Sequence, residues 1–366
     1  VLLFMNIDVS IIVPCYNVES YVDNCLEALT AQTLHQMEII CVNDGSTDGT
    51  LSRLQIWAQQ FPHIRIIDQS NFGVSMARNA GLEISRGSYV GFVDPDDLVE
   101  KDMFACLFQN AVENQADVAV CGYTAFSDKT GAVLEEESWS PDTMFYPEEH
   151  VEKFRRGSIW SRCVGPVCNK LIRRSVLEEH YVRFIPGLKE GEDMAFLLML
   201  LPFAPRLLTM GNRFYHYRRE RAGSATYGRN ILLNDYRMDL LNMNAVTRFW
   251  QEKGLWTAEV KYGLIDYYME FLRRHFIMQE GAFFKASKED RVSLLKKWNE
   301  WLELIGGENS LERLDKWDRT FCFLLRKFPL NWNKAAFWQC QLMSFCKGRR
   351  GAYYTLRKQL LDLARV

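Results

Sequence analysis

Tyr89-Val-Gly-Phe-Val-Asp-Pro-Asp-Asp97 is the stretch on which the fold of this 366-residue chain turns. Its first five residues are apolar or small without a break, as in a strand covered on both faces, and they run straight into three carboxylates. Similar runs come earlier. Residues 9–13 (Val-Ser-Ile-Ile-Val) are β-branched and end at Pro14, residues 38–42 end in the turn-rich Asn43-Asp44-Gly45-Ser46, and residues 64–67 lead into a loop containing glycine. Helical stretches lie between them, at about 18–31, at about 48–60 with Asp48 as N-cap, and near 74–84. A helix over 98–114 and a strand over 118–121 continue the alternation. Repeated βα units with continuous apolar strands predict a parallel sheet with helices on both faces.

Farther along, the pattern weakens between about 125 and 165, where Glu135-Glu136-Glu137 and a polar run predict a loop or insertion. It returns near 167–177, in a helix near 192–201 and in a strand over 213–217. Residues 218–227 read as a loop. From about Asn230 onward glycine and proline are sparse and helical spacing of Leu, Met, Trp and Phe dominates. The expected division is an α/β domain over 6–228 and a helical region over 229–366.

Composition agrees with a globular protein: 48% hydrophobic and 25% charged residues leave ample core. No run approaches the roughly 18 apolar residues of a membrane span. Residues 1–5 are apolar but lack the basic region and cleavage site of a secretory leader, so they read as an artefact of the start site, with Met5 as the natural start. The ten cysteines form no Cys-x-x-Cys pair, which favours reduced core residues in a cytoplasmic setting over a zinc site. The net charge of -2 hides a split: residues 1–228 carry 20 Lys+Arg against 30 Asp+Glu, the remainder 24 against 16. Two regions with different partners are implied.

In open α/β sheets, ligands sit outside the carboxyl ends of the strands. Here the polar residues fall at those ends: Pro14, Tyr16, Asn17 and Glu19 after the first strand, Asp44, Ser46 and Asp48 after the second, Asn71, Ser75, Arg78 and Asn79 after the third, Asp94, Asp96 and Asp97 after the fourth. Three carboxylates within four residues repel one another unless a cation compensates, and hard oxygen ligands favour Mg²⁺ or Mn²⁺. Asp97 has a second reading, as the N-cap of a helix starting at Leu98.

Ser10-Ile-Ile-Val-Pro-Cys-Tyr-Asn-Val-Glu19, Val42-Asn-Asp-Gly-Ser-Thr-Asp48, Asn71-Phe-Gly-Val-Ser-Met-Ala-Arg-Asn-Ala-Gly81 and Val93-Asp-Pro-Asp-Asp97 together resemble the family 2 glycosyltransferases, in order, from about residue 9 to 225. The resemblance implies the GT-A fold, a Rossmann-like α/β architecture for nucleotide-diphospho-sugar transfer, here with a C-terminal helical appendage. It also implies an inverting, metal-dependent enzyme that moves a sugar from a nucleotide-sugar donor, a UDP-sugar, to a saccharide or lipid-linked acceptor in cell-surface polysaccharide biosynthesis. By the same resemblance Pro14 and Tyr16 flank the base, Asp44 bonds it, Glu19 belongs to the nucleotide-sugar site, and Arg78 lies near the diphosphate. Asp94 faces ribose or sugar and Asp96 ligates the metal. Glu192-Asp193 matches the motif whose Asp takes the acceptor proton. Tyr215-His-Tyr-Arg-Arg-Glu-Arg-Ala-Gly-Ser224 matches a strand end and loop that supply diphosphate contacts, here Arg218 and Ser224. His216 is a candidate further metal ligand or a buried strand residue, while Arg219 and Arg221 read as solvated charges. Asn169-Lys170 sits on the acceptor side. An Asp such as Asp193 at a helix start is, on its own, most simply a cap. A catalytically silent nucleotide-sugar-binding or scaffold subunit is the alternative from another class; a nucleotidyltransferase would need a glycine-rich or basic loop after the first strand, which Val13–Asn17 lacks.

Residues 321–366 hold nine basic residues and one acid, Asp362, among many aromatics. Two readings stand: a peripheral anchor on an anionic membrane surface, or packing against the catalytic domain or a second subunit of a homo-oligomer. Nucleic acid is disfavoured, because the first domain is acidic and no recognition module is visible.

Overall fold

The computed structural model describes residues 7–138, 143–145, 165–188, 191–221, 233–256, 261, 265, 296 and 299–307. Residues 1–6, the stretch 222–230 with Ser224, and the basic tail 321–366 lie outside them, as does most of 139–164. The chain divides into two compact units, one of Val1–Lys153 with Ser158–Arg229, the other of Phe154–Gly157 with Asn230–Val366.

The first unit is built on one mixed sheet. Its strands in chain order are β1 (Val9–Cys15), β2 (Met37–Asp44), β3 (Ile64–Gln69), β4 (Tyr89–Phe92), β5 (Leu98–Val99), β6 (Val118–Ser127), β7 (Val133–Glu137), β8 (Thr143–Phe145), β9 (Lys170–Arg173) and β10 (Leu207–Arg219). The order across the sheet is β3-β2-β1-β4-β9-β6-β10-β5, with β7 on β6 and β8 on β10. Every residue of β1 and β2 is buried. That is why these strands read as unbroken apolar runs: helices cover both faces. Of their two charged residues, Glu38 and Asp44, Glu38 accepts the Ser10 hydroxyl at 2.6 Å and the Arg65 guanidinium at 2.9 Å. Pro14 falls past the last β1–β4 pair, Ile12↔Phe92, where a missing N–H costs no bond to that neighbour.

The expected all-parallel sheet is interrupted: β3, β2, β1 and β4 pair in parallel, as do β6 and β10, with antiparallel strands between and beside them. β9 runs antiparallel to both β4 and β6, and β5 and β8 run antiparallel to β10. The polar stretch after residue 125 is partly sheet: the acidic run Glu135–Glu137 is the outer strand of a hairpin on β6.

Among the described residues, this unit also has helices α1 (Val22–Thr30), α2 (Thr50–Gln60), α3 (Val74–Ile84), α4 (Met103–Glu113), α5 (Arg174–Glu179) and α6 (Glu192–Leu200). The expected helix start at Leu98 is corrected. Leu98–Val99 is a strand whose partners, His216 and Tyr215, lie far along the chain, and the helix begins at Met103. α3 seats closely on β1 because residue 81 is glycine; a Cβ there would lie 2.4 Å from Ile12 Cγ2. In the second unit, α7 (Leu233–Glu252) buries Met243, Val246 and Trp250, and the described residues 299–304 are helical and bury Trp301 and Leu302.

Candidate active site

The carboxyl ends of β1, β2 and β3 are tied together by short polar contacts. Asn17 accepts the Thr47 N–H at 2.8 Å and its own N–H reaches Ser46 Oγ at 3.1 Å. Asp44, buried, accepts Gln69 Nε2 at 2.7 Å and the N–H groups of Phe72 and Gly73 at 3.0 and 2.8 Å. It therefore fixes the loop that leads into α3, whose entry residue Gly73 has φ +89°. Glu19 accepts the Gly49 N–H at 2.9 Å, and its N–H reaches Asp48 at 3.1 Å. Its carboxylate sits at the α2 N-terminus, where partial positive charge favours it. Tyr16 stands exposed at the end of β1, and Pro14 is buried within that strand.

Arg78 is the centre of the cluster. It is 3% exposed, and its guanidinium reaches Asp193 Oδ1 at 2.6 Å, Glu192 Oε1 at 3.0 Å and Asp94 Oδ1 at 3.1 Å. Burial alone would lower its pKa, but Asp193, Asp94 and Glu192 outweigh that and hold it charged. Phe184 lies beneath, its ring centroid 5.2 Å from the guanidinium carbon. That ring is stacked on Phe196 at 4.1 Å, and Phe92 meets both edge-on. Asn79 pins the Phe184 backbone from both sides, accepting its N–H at 2.9 Å and donating to its carbonyl at 2.8 Å. One helix turn thus supplies both the clamp and the tether of the platform under it.

Asp193 does not cap α6. Its second oxygen accepts the Val167 N–H at 3.0 Å, and Gly191, in the left-handed region, starts the helix. Burial raises the Asp193 pKa to about 6; Arg78 opposes the rise, while Glu192 and Asp94 add to it. With 21% of the side chain exposed, this carboxylate is both shifted toward neutral pH and reachable.

Asp97 is fully buried. Its carboxylate accepts the Tyr215 hydroxyl at 2.5 Å and the Arg218 N–H at 2.7 Å. The helix-cap reading of Asp97 is therefore corrected: it is a strut between the acidic run and β10. Burial, then Asp94 and Asp96, push its pKa well up. Asp96 lies 2.9 Å from Arg221 Nε, and burial followed by Asp94 raises its pKa. Arg221 is 12% exposed, so the solvated-charge reading fails for it. Arg219, paired with Glu135 at 2.7 Å and 37% exposed, stays near that description. Arg218 donates from Nε to the Asp96 carbonyl at 2.6 Å and from Nη1 to Asp128 at 2.7 Å, and its guanidinium lies over the Tyr21 and Phe126 rings. His216 meets Glu100 at 2.7 Å, on the face of β10 opposite Tyr215, and is not brought to Asp96. Lys170 is buried, with Nζ 2.7 Å from the Pro166 carbonyl and 2.8 Å from Asn169 Oδ1.

Among the described residues, Asp94, Asp97 and Cys168 offer three ligand atoms within 4.8 Å of one another. Asp97 is already engaged, and burial holds the Cys168 thiol protonated, so this trio suits a hard cation poorly. Asp94 and Asp96, 28% and 17% exposed, are the oxygen donors that fit Mg²⁺ or Mn²⁺. The residues the sequence did not single out are Phe184, Tyr21, Asp128 and the strut role of Tyr215. The Tyr215–Asp97 and Arg218–Asp128 pairs join residues 118 and 90 positions apart, beyond the reach of local pattern.

A mixed α/β sheet with acids and one buried arginine gathered at its carboxyl ends defines a GT-A-type domain. Residues 10–181 match the glycosyl transferase family 2 model, and the domain they form belongs to that family. The chain is 35% identical over 210 residues to the uncharacterized glycosyltransferase EpsJ of Bacillus subtilis (strain 168), covering 57% of this chain and 60% of that one. It is 29% identical over 225 residues to the minor teichoic acid biosynthesis protein GgaB of the same organism, covering 60% and 24%. The chain thus spans about 60% of the length of the first of these relatives and a quarter of the second. In fold it is similar to S. aureus TarS 1-349, with TM-score 0.70, 18% identity and coverage of 94% of this chain and 92% of that one. TarS 1-349 has also been solved in complex with UDP-GlcNAc. No helix among the described residues is long and apolar enough to cross a membrane.

Proposed function

We propose that the chain transfers a sugar, with inversion, from a UDP-sugar to a hydroxyl of a saccharide or lipid-linked acceptor in cell-surface polysaccharide assembly. The observation that carries this reading is the single Arg78 guanidinium in contact with Asp94 and Asp193 at 3.1 and 2.6 Å. A residue of the acidic run and one of the downstream Glu-Asp motif therefore meet on one side chain. In the proposed reaction, Asp193 takes the proton of the acceptor hydroxyl as that oxygen attacks the anomeric carbon from the face opposite the diphosphate. Asp94 faces the ribose or sugar. Asp96, with Asp94 beside it, would hold Mn²⁺ or Mg²⁺, which supplies countercharge to the leaving diphosphate when bound. Pro14, Tyr16 and Asp44 form the base end of the site. The UDP-GlcNAc complex of TarS and the teichoic acid name of GgaB support the choice of donor class and setting. A membrane contact through residues 321–366 remains part of the proposal and is tested by cosedimentation with anionic vesicles with and without that tail. Equal sedimentation rules the tail out.

The test is UDP release from a panel of UDP-sugars with Mn²⁺ and acceptor present. One donor should turn over with the wild-type chain, and Asp96→Ala should abolish it. Turnover undiminished in Asp96→Ala would overturn the assignment, and binding of UDP without any turnover would favour the silent-subunit alternative.

A further inference from the structure

We propose that Arg221 is a built-in counter-ion of Asp96, so that the donor site is held closed by the chain's own cation until Arg221 gives up that carboxylate. The inference rests on the donor-site reading above and concerns a residue that reading does not use.

β10 ends at Arg219, and Glu220 then takes φ +62°, which a residue with a side chain adopts only when its surroundings impose it. They do: the Ser127 hydroxyl donates to the Glu220 carboxylate at 2.5 Å, and the Asp128 N–H to the Arg219 carbonyl at 2.9 Å. This pinned turn sends Arg221 back over the acidic run. Its Nε lies 2.9 Å from Asp96 Oδ2, and its guanidinium carbon 5.0 Å from the Tyr21 ring centre.

The two arginines at this turn differ in kind. Arg218 is built in: aligned hydrogen bonds run to the Asp96 carbonyl and to Asp128. Arg221 is not. Its Nε is buried and close to the carboxylate, yet the N–H is not directed at it, so the contact is an ion pair without a hydrogen bond. Misaligned pairs forgo the gain of a charge-assisted hydrogen bond and exchange more readily. Asp96 is largely buried beside a second carboxylate, Asp94, and needs a positive neighbour in every state of the site. Arg221 fills that need when no divalent ion is present. Both cations cannot sit on one carboxylate, so Arg221 leaves Asp96 when the ion takes its place, and the donor diphosphate, whose oxygens match a guanidinium fork, offers it a new anion. Arg221 thereby costs metal affinity in the empty site and favours the ion only together with donor.

The experiment is calorimetric titration of the full chain with Mn²⁺ alone and with UDP present, for wild type, Arg221→Gln, Asp96→Asn and the double variant. Without nucleotide, Arg221→Gln should bind Mn²⁺ about tenfold more tightly than wild type, as expected when a competing bound state is removed. UDP should shrink or reverse that gain, and in the Asp96→Asn background the Arg221 substitution should change nothing. A merely structural arginine would give weaker or unchanged Mn²⁺ binding in Arg221→Gln, and that result overturns the proposal. If Arg221→Gln melts at a lower temperature, Arg221→Lys decides: it keeps the competing charge and should hold Mn²⁺ affinity near wild type, whereas a tenfold gain there overturns the idea. Mn²⁺ bound by neither protein also overturns it, and UDP titrated into the same samples shows separately whether the nucleotide reading stands.

Discussion

Asp97, a buried acid, and Asp193, a part-buried one, lie in the same domain, and their surroundings set them apart. Asp97 is sealed between a tyrosine hydroxyl and a backbone N–H, with no exposed surface. Asp193 is held by a guanidinium and a backbone N–H but keeps a fifth of its side chain open. Burial raises the pKa of each. Only Asp193, with an arginine pulling against that rise, is poised to gain and lose a proton near neutral pH while a substrate can reach it. An acid in a motif is thus not a catalytic acid by position; its partners and its exposure decide.

Three substitutions would break or sharpen that contrast. Asp193→Asn keeps the shape and the Val167 contact but removes the proton acceptor, so UDP release in the presence of acceptor should fall about 10³-fold, as expected for loss of a general base, with a melting temperature close to wild type. Asp97→Ala should act in the opposite way. It strands the Tyr215 hydroxyl and the Arg218 N–H in a dry site and should cost about 2–3 kcal/mol in a denaturant titration, with the activity of the folded fraction largely kept. Arg78→Lys should have the smallest effect and the most specific one. Asp193 must be unprotonated to act, so kcat/KM of the wild type should fall as pH drops through about 6. A lysine keeps the charge but not the fork that reaches three carboxylates, which leaves the upward push of burial less opposed. The acid limb should then move to higher pH by up to about one unit; an unmoved limb would show that Arg78 does not set the state of Asp193.

Much of this domain was legible in order along the chain. The strands β1, β2 and β4 announce themselves because both of their faces are covered, and the polar residues at the strand ends mark the crevice. What escaped reading is what depends on distant pairing. Leu98 looks like a helix start because Asp97 is a good cap and a helix does follow. Two residues are instead drawn into a strand by Tyr215 and His216, and the helix waits until Met103. That pairing also assigns Asp97 its strut, so one local misreading concealed a site contact. Arg221 looked solvated because nothing nearby in sequence pairs with it; its partner, Asp96, precedes it by 125 positions. Arg78 was placed near the carboxylates by its motif, but the Phe184 platform under it comes from a loop whose own sequence carries no signal.

The central claim is that the acidic run and the downstream Glu-Asp motif serve one site through Arg78. A double-mutant cycle on Arg78→Lys and Asp193→Asn, read as the transfer rate at saturating donor, tests it most directly. If the guanidinium acts through Asp193, the double variant should transfer no more slowly than Asp193→Asn alone. Losses that multiply, as for two independent residues, would contradict the account.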